Sequence, residues 1–450
     1  MHIMIKKIAG FNYESLALFA FALATSFTVL GPVFHYIGWG IALLALIYGK
    51  IKYNANLFGA VDKSSKCILG ILLLYLVWSM FANAFTAGSF YYWGKSASVP
   101  LELLISITLA IRLLNKEAGR RKFAIVFLTI NTLIVIGLII IEAFNIVSPL
   151  HGLLNQNIIG LYSVIVMPVF FCTAFWFCKN SLCRVLLLSV SSLLIITSFS
   201  SGPLLTATLQ GIIIIFYAIR EKHLDFKLLT KCFVVLLISL IGLNFISGDK
   251  VLPRFKQEFE QIFAINDTDS FTSKRNRAWS ATFFMIKQRP ILGHGRALFN
   301  KRYDDNLQAF IKNDIVKADE IIYAHPHSMY LGSLFDSGVL GLVLILLAFI
   351  FSIRKAWILL HRSCTKKEIV PWAVLGLSLL VGQLLYGIIG DIFESRNDIA
   401  PIFWAFWGIL LSLSININDD GLTHTPVQQD EDITKETSCD YSPVQIQSRC

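Results

Sequence analysis

The sequence predicts an all-α, polytopic membrane protein with about 12 transmembrane helices and one large polar segment between helices 9 and 10. Three observations predict it. Of 450 residues, 55% are hydrophobic and 15% charged, whereas about a quarter of a soluble domain is charged. The apolar residues gather in runs near the ~20 residues that span a bilayer as a helix, too long for barrel strands. Basic residues sit in every second connection between those runs.

The runs fall at 13–30, 33–49, 66–86, 97–115, 122–144, 157–178, 182–199, 203–219, 228–247, 327–353, 368–389 and 398–416. The first is long and lacks a small-residue cleavage site, so no cleavable signal peptide is expected. Lys6 and Lys7, Lys50 and Lys52, Arg112 to Lys122, Lys179 and Arg184, Arg220 to Lys231, and Arg354 to Lys367 mark one side, with Lys355 among them. The short loops of the other side carry only Lys95 and Arg396. Basic loops stay cytoplasmic, so both termini are expected inside and the large segment outside. The net charge of +10 is thus a topology signal, and no nucleic-acid partner is expected. Four parts follow: 1–247 with helices 1–9, the external segment 248–326, 327–416 with helices 10–12, and a polar tail 417–450 expected to be disordered.

None of the eight cysteines lies between residues 248 and 326, and none forms a Cys-x-x-Cys pair. Neither a disulfide framework nor a metal site is expected. His325-Pro326-His327 has the wrong spacing for two ligands on one helix face, and no carboxylate cluster accompanies it.

The external segment predicts a helix over 276–288, capped by Thr272 or Ser273 and stopped by Pro290. Trp279, Phe283 and Ile286 share a stripe at helical spacing. Gly293-His294-Gly295 turns the chain, and a weaker helix is expected over 304–317. The chain then re-enters the membrane at His327-Ser328, followed after nine residues by Gly338-Val339-Leu340-Gly341. At about 100° per residue, both glycines come within about 40° of the histidine on a continuous helix. The expectation is a histidine at a helix N-terminus, with Gly338 and Gly341 packing against a neighbour deeper in the bilayer.

His327 is the first candidate for chemistry, since a neutral imidazole can act as a general base. Lys274, Arg275 and Arg277 form the densest external basic cluster, suited to phosphate oxygens. Arg289, Arg296, Lys301 and Arg302 read as a solvated surface. Asp391 and Arg396 share the last short external loop with Glu394. Asp391 could pair with Arg396, orient His327, or hold a hydroxyl of a substrate. Ser328 adjoins the histidine. His294 and His325 are weaker candidates.

The His327-Ser328-(nine)-Gly338-x-x-Gly341 stretch resembles the pattern of the O-antigen ligase family, which is grouped with O-antigen polymerases and protein O-oligosaccharyltransferases. Arg275–Gly295 looks like that family's periplasmic segment: an Arg, an aromatic-rich helix, Pro290, then Gly-x-Gly. Nine spans, a large loop and three spans also fit. The resemblance implies a glycosyltransferase-C-like fold in a bacterial inner membrane, with the large loop periplasmic, and a metal-independent transferase without a cofactor. The donor would be a polysaccharide on undecaprenyl pyrophosphate and the acceptor a hydroxyl of the lipid A-core. His327 matches the family's proposed base, and Arg275 an arginine that holds the pyrophosphate. The family usually carries a second Arg after the seventh span. Here that loop reads Ser198-Phe-Ser-Ser201-Gly202-Pro203; either Arg277 or Lys274 substitutes, or the donor is held differently. An O-antigen polymerase shares the donor chemistry. A transporter or flippase would need ionisable groups at the bilayer midplane, and the spans offer few: Glu102, Glu142 and Asp336.

Overall fold

A computed structural model describes residues 12–57, 59, 61–87, 90–144, 156–198, 200–246, short pieces between 252 and 260, 275–317, 325–361, 367–390 and 399–414. All lie in one compact unit, Met1–Ile415. The expected disordered tail, with Lys274, Asp391, Arg396 and the caps Thr272 and Ser273, lies outside the described residues.

Every regular element among the described residues is helical. The helices are α1 Tyr13–Phe27, α2 Pro32–Tyr53, α3 Lys63–Ala87, α4 Phe90–Leu114, α5 Glu117–Phe144, α6 Gln156–Cys172, α7 Ser181–Thr197, α8 Ser201–Arg220, α9 Phe226–Ile246, α10 Arg275–Gln288, α11 Phe299–Lys312, α12 Met329–His361, α13 Val370–Tyr386 and α14 Ala400–Ser412. Local chemistry sets many of the ends. The Asn12 side chain accepts from Glu14 N to cap α1, and Asn180 from Leu182 N to cap α7. Proline opens α2 and lies in the first turn of α13 and α14.

Among the described residues, nine helices are long and apolar enough to cross a membrane. This is a polytopic membrane protein. The other three expected spans fall on shorter apolar helices, α7, α13 and α14. At 1.5 Å per residue α14 covers only about 20 Å, against a hydrocarbon core of about 30 Å. It is buried along its whole length, as expected of a helix apolar all round.

The bundle is organised by burial. α6 and its extension form the central post, with 94% of the apolar window inside the protein. α7, α8 and α13 pack around it. α9 is the opposite case, with 6% buried, leaning on α7 and otherwise open to lipid. α12 packs on α3 and α13, and α4 on α14.

Toward one end of the bundle, Lys355 Nζ sits 3.1 Å from both Asp62 carboxylate oxygens, 2.5 Å from Ser65 Oγ and 3.2 Å from Leu411 O. Its side chain is wholly buried. The sequence reading placed Lys355 among the loop charges beyond a span ending at residue 353; α12 instead runs on to His361. The lysine ties α12 to the start of α3 and the end of α14. Removing either partner of such a buried pair costs about 3–5 kcal/mol, because the other charge stays behind.

At the opposite end α12 departs from the expected geometry. The helix starts at Met329, so His327 stands before it, and it is interrupted at Gly338, with φ 67° and ψ −171°. That conformation is open essentially to glycine alone. The single face shared by His327, Gly338 and Gly341 therefore does not exist, because counting 100° per residue requires an unbroken helix. The break is filled by the chain after α10. In an unbroken helix Phe335 O would accept from Val339 N. Here Val339 N donates to Pro290 O at 2.9 Å, and Phe335 O accepts from His294 N at 2.6 Å. Asp336 O accepts from Gly295 N at 3.1 Å, and Ser337 O from Trp78 Nε1 of α3 at 2.7 Å. A Cβ on Gly338 would overlap the Ile291 carbonyl; one on Gly341 would meet the Ser337 hydroxyl, with Trp78 beyond at 3.5 Å. Gly338 thus admits a loop, and only Gly341 faces a neighbouring helix.

The two glycines should therefore respond differently to alanine. Gly338→Ala meets backbone it cannot displace and a forbidden φ, and should cost more than about 3 kcal/mol. Gly341→Ala displaces a rotatable hydroxyl and should cost about 1 kcal/mol. Thermal unfolding of the two purified variants in one detergent checks the order; equal melting temperatures would contradict the interlock.

Candidate functional site

The segment expected outside is built on the α10–α11 hairpin. Ala278, Ala281, Thr282, Met285 and Ile286 form the buried face of α10, packing against α12 and α11. Phe299, Tyr303 and Phe310 are the buried stripe of α11. This amphipathic stripe starts the helix five residues before the expected Asp304. The expected Trp279-Phe283-Ile286 stripe is split: Ile286 is buried, Trp279 half-buried, and Phe283 51% exposed.

His294 pins this hairpin to the break in α12. Its Nε2 lies 2.6 Å from Met285 O, and its ring stacks on Phe335 with centroids 4.9 Å apart. The ring is buried. Burial pushes its pKa below the usual 6.5; the bond to Met285 O opposes this, and the nearby Arg302 and Arg289 charges add to it. The neutral ring donates Nε2–H to Met285 O. Read as a turn residue, His294 is a wedge in the core of the external part. Arg302, expected on a solvated surface, reaches Thr86 O and Asp305.

Three helices, α8, α10 and α12, converge on the turn that follows α13, Tyr386–Gly390. Met329 N, the first N–H of α12, donates to Gly387 O at 2.8 Å and to Gly390 O at 3.0 Å. Ser328 Oγ donates to Gly387 O at 3.1 Å, and Tyr330 OH to Leu384 O at 2.6 Å. Arg275, the first residue of α10, donates through Nη1 to Ile389 O. The Ile389 side chain covers Gly202 at the start of α8, with the Tyr386 ring beside it. The negative end of α13 thus meets the positive end of α12, and one short segment anchors both Arg275 and the entry to α12.

His327 stands at this junction, half-buried. Its φ of 51° lies in the left-handed region, which is uncommon for a residue with a side chain. Its N–H donates to His325 Nδ1 at 3.3 Å, and the two rings lie 3.8 Å apart. Strained backbone of this kind costs about 1–3 kcal/mol and persists where surrounding contacts impose it; here Ser328 and Met329 are both held. Arg277 follows Arg275 on α10 and is half-buried.

Residues 185–346 match the family profile described as O-antigen ligase. The match covers 162 of the 450 residues. No curated protein matches it. The O-antigen ligase match takes in Gly202, Arg275, the 293–295 turn, His327 and the break at Gly338. The carbonyls of Gly387, Ile389 and Gly390, on which these converge, lie beyond it. Sequence reasoning missed that segment; its only signal was the pair Gly387 and Gly390 at the end of an apolar run. The match supports a ligase- or polymerase-type function in general terms.

His294 gives the α10–α11 hairpin a pH response. A histidine with a lowered folded pKa contributes its full stability above the unfolded value near 6.5 and loses it as pH falls toward the folded value. Amide exchange at Gly295 and Val339, corrected for intrinsic rate, should be slow and flat above pH 7 and accelerate as pH falls to 5. In His294→Phe that acceleration should be absent.

Proposed function

We propose that the chain is an O-antigen ligase. It moves a polysaccharide from undecaprenyl pyrophosphate to a sugar hydroxyl of the lipid A-core, at the periplasmic face of the inner membrane. Nine long apolar helices together with α7, α13 and α14 make the twelve spans of this reading, with both termini cytoplasmic. The observation that carries it is the shared anchorage of Arg275 and of Ser328–Met329, the residues that follow His327, on Tyr386–Gly390, which supports a cation and an imidazole working on one substrate.

The chemistry divides between them. An imidazole nitrogen of His327 takes the proton of the acceptor hydroxyl while its oxygen attacks the anomeric carbon from the side opposite the pyrophosphate. The C–O bond to the pyrophosphate breaks, the leaving group keeps the electron pair, and the configuration inverts. Arg275 spends one donor on Ile389 O; a guanidinium has five, and the others serve the charge growing on the leaving oxygens. Lys274 and Arg277 flank it and take the part of the missing second arginine near Ser201. Asp391 and Arg396 follow Gly390 in sequence and are assigned to acceptor hydroxyls, with Ser328 fixing the histidine's backbone. Each step uses side chains alone, without a metal or cofactor.

His327→Ala should lower transfer by about 10²-fold or more with unchanged protein in the membrane. His327→Gly should be as inactive yet melt no lower than the parent, because glycine relieves the positive φ. Full transfer by either variant removes the base role. Arg275→Lys should raise KM for the donor, since an ammonium lacks the planar fork. Loss of the gene separates ligase from polymerase: bare core supports the ligase, whereas core bearing one repeat unit makes the chain a polymerase.

A further inference from the structure

The face of α10 turned away from the bundle has no role in the reaction above. Asn276, Trp279, Ser280, Phe283 and Lys287 follow the i, i+3, i+4, i+7 spacing of one helix face and form one side of a cavity of about 500 Å³. Leu331, Phe284 and Ile315 line it too. Such a volume falls within the range of ligand pockets, about 300–1,000 Å³. It is continuous with the catalytic junction at both walls: Asn276 follows Arg275, and Leu331 lies four residues after His327 in sequence. From Asn276 to Lys287 the groove runs about 17 Å along the helix.

The lining is mixed. Three aromatic side chains, Trp279, Phe283 and Phe284, supply flat apolar surface, and an amide, a hydroxyl and an ammonium rim it. Lys287 Nζ lies 5.2 Å from the Phe283 ring centre. Trp279 carries a buried indole N–H without a partner among the described residues, a donor that costs about 1–3 kcal/mol while unmade. An acyl chain would satisfy the rings and leave the hydroxyl, ammonium and indole N–H unmatched. A sugar ring has an apolar C–H face and a hydroxyl rim, which matches both halves of the lining. C–H bonds meet the negative face of an aromatic ring favourably.

We infer that this groove is a saccharide channel that receives the polysaccharide part of the lipid-linked donor. The inference rests on the transfer reaction proposed above. With the pyrophosphate at Arg275, the first sugars lie over Asn276 and Trp279, and the chain runs along Ser280 and Phe283 toward Lys287. Trp279 and Phe283 grip the donor by its ring faces, so chain length is read here and bond breaking occurs at the other end.

The test uses binding, so it can fail apart from the reaction. Polysaccharide freed from lipid and pyrophosphate by mild acid is titrated onto the full-length protein in detergent and followed by saturation-transfer NMR. Saturable binding is expected, weakened at least fivefold in Trp279→Ala and kept in Trp279→Phe. No binding to the parent protein, or equal binding to Trp279→Ala, overturns the inference. So does labelling of Phe283 by a photoactivatable alkyl lipid that free polysaccharide does not compete away, since the groove then holds an acyl chain. In transfer assays the parent should show a lower KM for long-chain than for single-repeat donors, and Trp279→Ala should lose that preference; a preference kept in the variant overturns chain-length reading. Loss of transfer in His327→Ala has no bearing on any of these outcomes.

Discussion

Backbone that leaves the helix at membrane depth must find every hydrogen bond within the protein. In this chain that constraint falls on Gly338. Breaking α12 there frees the carbonyls of Phe335, Asp336 and Ser337 and the N–H of Val339. They are met by His294, Gly295, Trp78 and Pro290. The external hairpin is therefore part of the spanning helix's own hydrogen-bond pattern. The interlock sets where α10 begins relative to α12, and so where Arg275 stands relative to His327.

A second constraint acts at the other end of α10. The first N–H of α12 and the guanidinium of Arg275 both bond carbonyls at the C-terminal end of α13. Helix ends carry unmatched backbone groups of opposite sign, and here three ends meet so that acceptors of one match donors of the others. Gly202 under Ile389 adds the start of α8. Such a junction holds reacting groups on rigid elements, and positioning of that kind is a large part of rate enhancement. The positive φ of His327 is the local cost of turning the chain into it.

The helices were legible because apolar runs of spanning length leave few alternatives. α10 was legible because Pro290 and a clear periodicity bound it. Arg275 and His327 stood out by residue type and setting; the structure bonds Arg275 to Ile389 O and the two residues after His327 to Gly387 and Gly390. What spacing could not carry was any contact between distant parts. A glycine at 338 reads as a packing site until the loop at 290–295 is seen against it. His294 reads as a turn because its stacking partner Phe335 is 41 residues away in sequence. Lys355 reads as a loop charge because Asp62 is remote. The Trp279, Phe283 and Ile286 stripe failed for a subtler reason: positions three and four apart span a wide arc, and the buried arc is centred on Ala281 and Met285.

The nearly naked surface of α9 has a consequence of its own. A helix with 6% of its apolar window covered by protein takes its tilt and depth mainly from the lipid around it. It is also the last span before the chain leaves for the external segment. When a span and the hydrocarbon thickness disagree, the helix tilts or shifts at a cost of fractions of a kcal/mol per Å. A change in bilayer thickness is thus felt first at α9 and last at the enclosed α6, and the lipid composition of the host membrane becomes a lever on the part of the sequence that leads toward Arg275.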